Sequence, residues 1–307
     1  MPVGSTTLWT ADPGPSDPLQ VTTEQQVCSA AARRPAPAPD FRHPRAVTET
    51  SSPLRLPLFD AHLHVIDPRF PLIPDNGYLP PVFTVSDYRS RTRDLAVVGG
   101  AVVSGSFQGF DQTYLLAALA ELGPGFVGVT QLPVTTPDRQ VLALSAAGVG
   151  AVRFNIRRGG SETLGQLDRL ARRVHELAGW HSELYVDAAD LPDIAGTVAA
   201  LPRVSVDHLG LSREGLRHLL RLAERGVHVK ATGFGRGDLD VPDALRQLAH
   251  ANPGALMVGT DLPSTRAPRA FADSDLDLVG EALHDDDLIA AAFTGNALAL
   301  YRPPGGS

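Results

Sequence analysis

From Leu56 onward the chain runs in short apolar stretches rich in Val, Ala and Leu, alternating with amphipathic stretches. Such alternation is expected of parallel strands, buried on both faces, joined by crossover helices. Eight stretches qualify as strands: 56–65, 96–104, 126–132, 151–156, 183–187, 204–208, 227–232 and 256–261. Their starts follow one another at roughly 20 to 40 residues, about one βα unit each. Helices are predicted over 112–122, 161–178, 213–225 and 241–251. In the second of these Ser161 supplies a capping residue, and Leu164, Leu167, Leu170 and Val174 form an apolar stripe at helical spacing. Eight such units either close into a (β/α)8 TIM barrel or spread as a doubly wound sheet. A doubly wound sheet normally carries a Gly-rich fingerprint after its first strand, whereas this first strand ends in histidines, so the α/β barrel is expected.

Residues 1–53 show neither period and are rich in Ala, Pro, Ser and Thr, with the run Arg33-Arg34-Pro35-Ala36-Pro37-Ala38-Pro39. Too little apolar area is available there to offset chain entropy, which predicts a disordered tail preceding a single barrel domain over 54–307. A barrel of this type takes roughly 250 residues, so 307 residues suffice for one barrel and a tail. The net charge of −7 offers no basic excess for a phosphate backbone, and nucleic acid is not an expected partner. The single cysteine, Cys28, excludes an internal disulfide and a cysteine-based zinc site. No apolar run is long enough for a membrane span and the N-terminus lacks a signal-peptide pattern, so a cytoplasmic protein is expected.

The candidate chemistry sits at strand ends. In Asp60-Ala61-His62-Leu63-His64 strict alternation would project Asp60, His62 and His64 to one side, with the two imidazoles about 6.6 Å apart along the strand. A His-x-His pair alone is also what isolated core histidines look like. Its position at the carboxyl end of a barrel strand, where the catalytic residues of this fold are found, gives it weight. Strand six ends in Asp207-His208-Leu209-Gly210 and strand eight in Gly259-Thr260-Asp261-Leu262-Pro263. Three imidazoles and a carboxylate on strands one, six and eight would meet on closure, because closure makes strands one and eight neighbours.

These motifs, with Val152-Arg153-Phe154-Asn155, resemble the successive motifs of the amidohydrolase superfamily. Within it the chain is most similar to the amidohydrolase-related (amidohydrolase 2) group that includes 2-pyrone-4,6-dicarboxylate lactonase. The resemblance covers residues 56–303, with Asn296–Tyr301 resembling the usual closing helix. It implies an enzyme in which Asp261 acts as general base on water while His62, His64 and His208 bind metal or polarise the scissile carbonyl. Dinuclear members use a strand-four lysine or carboxylate and a strand-five histidine. Here strand four offers Arg153, strand five reads Leu184-Tyr185-Val186-Asp187, and His181 falls about 13 Å toward the other end of an extended strand. A dinuclear centre is therefore not expected. A single Zn²⁺ or Mn²⁺ on His62, His64 and Asp261 stays open, as does the metal-free chemistry implied by the lactonase branch.

The substrate class follows from cations. Arg153 and Arg157 share parity at the end of strand four and suit bidentate binding of a carboxylate, with Tyr185 as a further donor. A structural ion pair is the competing reading for Arg153, and the stronger one for Arg158. Lys230 either adds charge or closes an ion pair. Arg266 and Arg269 either reach the mouth or stay on the surface, and 233–237 is read as a Gly-rich turn without a phosphate. A small anionic substrate is expected, hydrolysed as a lactone or related carbonyl compound. The alternatives are a mononuclear Zn/Mn amidohydrolase or decarboxylase, and a barrel that only binds its ligand.

Overall fold

The computed structural model describes residues 56–302. The expected tail and Cys28 lie outside the described residues. Eight parallel strands follow one another around a single sheet in chain order: β1 Leu58–Leu63, β2 Val97–Val103, β3 Phe126–Thr130, β4 Val149–Phe154, β5 His181–Leu184, β6 Val204–Val206, β7 His228–Ala231 and β8 Leu256–Val258. The ring closes just beyond β8, where the Asp261 amide donates to the His62 carbonyl at 2.7 Å and the His64 amide donates to the Leu262 carbonyl at 2.8 Å. This is the (β/α)8 barrel anticipated from the alternating pattern.

Helices α1 Val85–Arg91, α2 Thr113–Leu122, α3 Asp138–Ala146, α4 Leu167–Ala178, α5 Ala195–Ala200, α6 Leu216–Ala223 and α7 Val241–Ala251 follow β1 to β7 in turn. Helices α8 Ser274–Leu283, α9 Asp286–Ala290 and α10 Asn296–Tyr301 complete the chain. The bounds of α7 match the sequence pattern because its signals are local: the Asp240 side chain accepts from the Asp243 amide and Pro242 opens the first turn. The start of α4 lies six residues later than expected, at Leu167 rather than Ser161. The Ser161 hydroxyl accepts from the Asn155 amide at 2.8 Å and ties down the loop after β4 instead of capping a helix. No helix among the described residues is long and apolar enough to cross a membrane.

Outward-facing strand residues such as Val102, Val152, Phe154, Leu184, Val206 and Val229 join the helices in the larger apolar cluster. Inside the ring a second cluster contains Phe59, Ala61, Ala101, Val103, Val127, Val129, Ala151 and Met257, plugged from below by Leu300 and Tyr301 of α10. The inward positions of β5 to β7 are different: His181, Glu183, Ser205, Lys230 and, just past β6, Asp207 are polar and buried.

The expected alternation along β1 fails at one point. Asp60 pairs with Gly100 and Leu63 with Val102, so three steps on β1 face two on β2. This bulge resets the faces. The Asp60 carboxylate accepts from the Tyr88 hydroxyl of α1 at 3.0 Å and from Thr260 through its amide and hydroxyl at 2.8 and 2.7 Å, and so does not project with His62 and His64.

Candidate active site

His62 and His64 sit on and just after β1. Closure onto the segment after β8 requires a close approach, and a Cβ on Gly259 would lie 2.7 Å from the His62 amide nitrogen. Only glycine fits there. His208 and Asp261 lie two and three residues beyond their strands, in turns with φ +52° and +58°. Parity cannot aim a side chain once the strand has ended, so their directions are set by tertiary contacts. The His208 ring is fixed by a 2.8 Å hydrogen bond between Nδ1 and the Thr232 hydroxyl, with Gly233 so close that a Cβ would stand 2.8 Å from that nitrogen.

The structure brings all four residues together. Nε2 of His62 lies 3.3 Å from Nε2 of His64 and 3.9 Å from Oδ1 of Asp261, and its ring centroid is 4.8 Å from that of His208. Nδ1 of His64 is held by the Val103 carbonyl at 2.7 Å. Burial lowers the pKa of His62 to about 4, with the nearby carboxylate of Asp207 opposing. Burial likewise lowers His64 and His208 well below the ordinary histidine value. All three imidazoles are therefore neutral at pH 7. Burial raises Asp261 to about 6, against the pull of Arg236. Its Oδ2 is gripped by the Arg236 guanidinium at 2.6 and 2.7 Å, whereas Oδ1 is buried with no hydrogen-bond partner among the described residues. A carboxylate with one oxygen anchored and one free, titrating near neutrality, is suited to accept a proton.

Above these groups opens a small recess. His64, His208, Tyr185, Arg153, Arg158, Arg236 and Arg266 are among the residues lining it, while His62 and Asp261 lie beneath its floor at 0% exposure. The expected anion-binding residues are placed unequally. Arg153 lines the recess but is tied to Asp207 at 2.7 Å and to the Ser104 carbonyl at 2.8 Å. Arg157 points outward, half exposed, 3.7 Å from Asp187. Arg158, for which sequence favoured a structural ion pair, faces the recess and has no ion-pair partner among the described residues. The reason is again the end of β4 at Phe154, beyond which alternation no longer applies. Tyr185 packs edge-on to His208 at 5.1 Å. Arg266 pairs with Asp75 at the mouth, and Arg269 with Asp275.

Sequence reasoning passed over Arg236 and Glu183, whereas Lys230 was expected either to add charge or to close an ion pair, and it closes one. Arg236 was hidden in the Gly-rich turn after β7. Glu183 and Lys230 form a buried pair at 2.5 Å beside His62. A signal existed for these two, since each is a charged residue at an inward position of a buried strand.

Among the described residues, His62, His208 and Asp261 each offer one donor atom within 4.8 Å of the others, as do His62, Glu183 and Asp207. The first trio, rather than His62, His64 and Asp261, is the set whose spacing suits one divalent cation, and the free Oδ1 of Asp261 fits that use. In the second trio the space is taken by the ammonium of Lys230.

A family model described as amidohydrolase matches residues 59–302. A 2-pyrone-4,6-dicarboxylate hydrolase of Comamonas testosteroni is 32% identical over 156 residues, 49% of this chain and 51% of that protein, so the chain aligns with about half the length of that relative. The D-galactarolactone isomerase of Agrobacterium fabrum is 28% identical over 264 residues, 79% of this chain and 90% of that protein. Among solved structures, an Agrobacterium tumefaciens protein in its apo form superposes with a TM-score of 0.71 at 25% identity, over 80% of this chain and 95% of that one.

Proposed function

The chain belongs to the amidohydrolase family of enzymes, and we propose that it hydrolyses a small cyclic ester, or a related carbonyl compound, that carries a carboxylate. The observation that carries this reading is the convergence of three neutral imidazoles and a carboxylate of raised pKa beneath an arginine-lined recess. The substrate carboxylate binds the guanidinium of Arg158 and the unengaged N–H groups of Arg153, with Tyr185 completing the anion site. Its ring carbonyl rests against His62, His64 and His208, and ring N–H groups of His62 and His208 stabilise the oxyanion. Asp261 takes a proton from the attacking water through Oδ1, with Arg236 holding the other oxygen. Each oxyanion donor supplies about 3 kcal/mol of transition-state stabilisation in such a site.

The galactarolactone isomerase aligned over 90% of its length supports a variant of this chemistry, in which a hydroxyl of the substrate replaces water as nucleophile. A second reading, a mononuclear Zn²⁺ or Mn²⁺ hydrolase or decarboxylase, is supported by the spacing of His62, His208 and Asp261. Those residues would hold the ion, which would polarise the carbonyl and acidify water. A panel of carboxylated lactones, assayed with chelator and with added Zn²⁺ or Mn²⁺, tests these readings through their products. Ring-opened acid formed under chelation supports the metal-free hydrolase. An isomeric lactone supports the isomerase, and activity that returns only with metal supports the metal enzyme. Saturable binding without turnover across the panel would overturn all three.

A further inference from the structure

Lys230 lies at the centre of the barrel, fully buried. Its Nζ stands 2.5 Å from Oε2 of Glu183, 3.3 Å from Oδ1 of Asp207 and 3.3 Å from Nδ1 of His62. An ammonium has donors and no acceptor; it donates to Glu183 and meets Asp207 as an ion-pair contact, not as a hydrogen bond. The contact with His62 then runs one way only, with Nδ1 accepting. A neutral imidazole carries a single ring proton, which must therefore sit on Nε2. The rival partner for an Nδ1 proton is Oδ1 of Asp207, 3.4 Å away, but a proton on Nδ1 would also face the Lys230 ammonium at 3.3 Å.

The far end of the chain points the same way. Nδ1 of His64 lies 2.7 Å from the Val103 carbonyl, which can only accept, so the proton of His64 is on Nδ1 and its Nε2 is a bare lone pair. That lone pair is 3.3 Å from Nε2 of His62. Two ends fixed independently give one direction throughout: Lys230 donates to His62, His62 to His64, and His64 to Val103.

We propose that Lys230 is a positioning residue that fixes the tautomer of His62, making its ring an Nε2–H donor aimed where His64, His208 and Asp261 converge. A substrate oxygen entering that point takes the hydrogen bond that His64 otherwise receives. The same wiring opposes ligation of a metal by Nε2 of His62, since ligation needs a lone pair there. The catalytic consequence rests on the hydrolytic reading above, whereas the tautomer can be read without substrate.

The test is ¹⁵N NMR of histidine-labelled protein, with His62→Gln identifying the His62 signals by their loss. The expected wild-type spectrum places the proton on Nε2. The double variant Lys230→Met/Glu183→Gln removes the ammonium together with one carboxylate charge, leaving Arg153 and Asp207 balanced. In it the proton moves to Nδ1, toward Asp207, and kcat falls by roughly a hundredfold with little change in KM. A wild-type proton on Nδ1 overturns the proposal, as does a double variant that keeps Nε2–H. Should the double variant not fold, the wild-type spectrum decides alone. A tautomer switch without loss of turnover leaves the role of Lys230 standing and overturns the hydrolytic role of His62.

Discussion

On one side the barrel interior is filled by Phe59, Ala61, Ala101, Val103, Val127, Val129, Ala151 and Met257; on the other, from β5 to β7, it holds His181, Glu183, Ser205, Asp207 and Lys230. Both sides are equally buried. The apolar side is stabilised by burial and packing, which are tolerant of partner identity as long as volume is kept. The charged side must offset a desolvation cost of several kcal/mol per ion by exact pairing of charge and hydrogen bonds. Its charges balance, two cations, Lys230 and Arg153, against two anions, Glu183 and Asp207, while Oδ1 of Asp207 makes no hydrogen bond among the described residues. Burial alone would raise both acids. The favourable contacts together outweigh it: Lys230 and His181 bring Glu183 down to about 2, and Lys230, Arg153 and His62 bring Asp207 well below the carboxylate range. The difference teaches where function is placed. The charged half lies under His62 and reaches it through Lys230, while the apolar half is a rigid wall.

The comparison yields graded expectations. Asp261→Asn, above the charged half, should lower kcat by about a thousandfold or more while leaving the circular dichroism spectrum unchanged. Near-normal turnover in that variant would remove the aspartate from the chemistry. Next in size, Lys230→Met strands Glu183 and Asp207 without their ammonium and should cost about 3–5 kcal/mol in urea unfolding. Adding Glu183→Gln should recover a substantial part of it, and strict additivity of the two changes would show that the pair is not coupled.

A smaller effect concerns pH. Asp261 must be ionised to act, so kcat/KM should rise with pH and level off above about 6, falling tenfold per unit below it. Arg236 is the main influence holding that carboxyl down against burial, so Arg236→Met should move the acid limb to higher pH. A limb that stays in place would show that another group controls it. Least of all, Met257→Leu in the apolar half should cost less than about 1.5 kcal/mol. A larger loss there would erase the contrast between the halves.

How much of this was legible along the chain depends on the range of the determining forces. The eight βα units, the limits of α7 and the inward parity of Glu183 and Lys230 are written in local periodicity and capping residues. The histidine pair, His208 and Asp261 could be singled out because each stands near the carboxyl end of an apolar run. The bulge that turns Asp60 away, and the loops that aim Arg158 and Arg236, left no periodic trace. They lie where alternation is interrupted or the strand has stopped.

The sequence by itself determined the barrel, because burial on both faces of each strand and one stripe of each helix is a property of neighbouring residues. Only the tertiary structure decided which charge meets which: Lys230 with His62 across 168 positions, and Thr260 with Asp60 across 200. Coulomb and hydrogen-bond energies depend on distances of a few ångströms, and those distances exist only after the ring has closed.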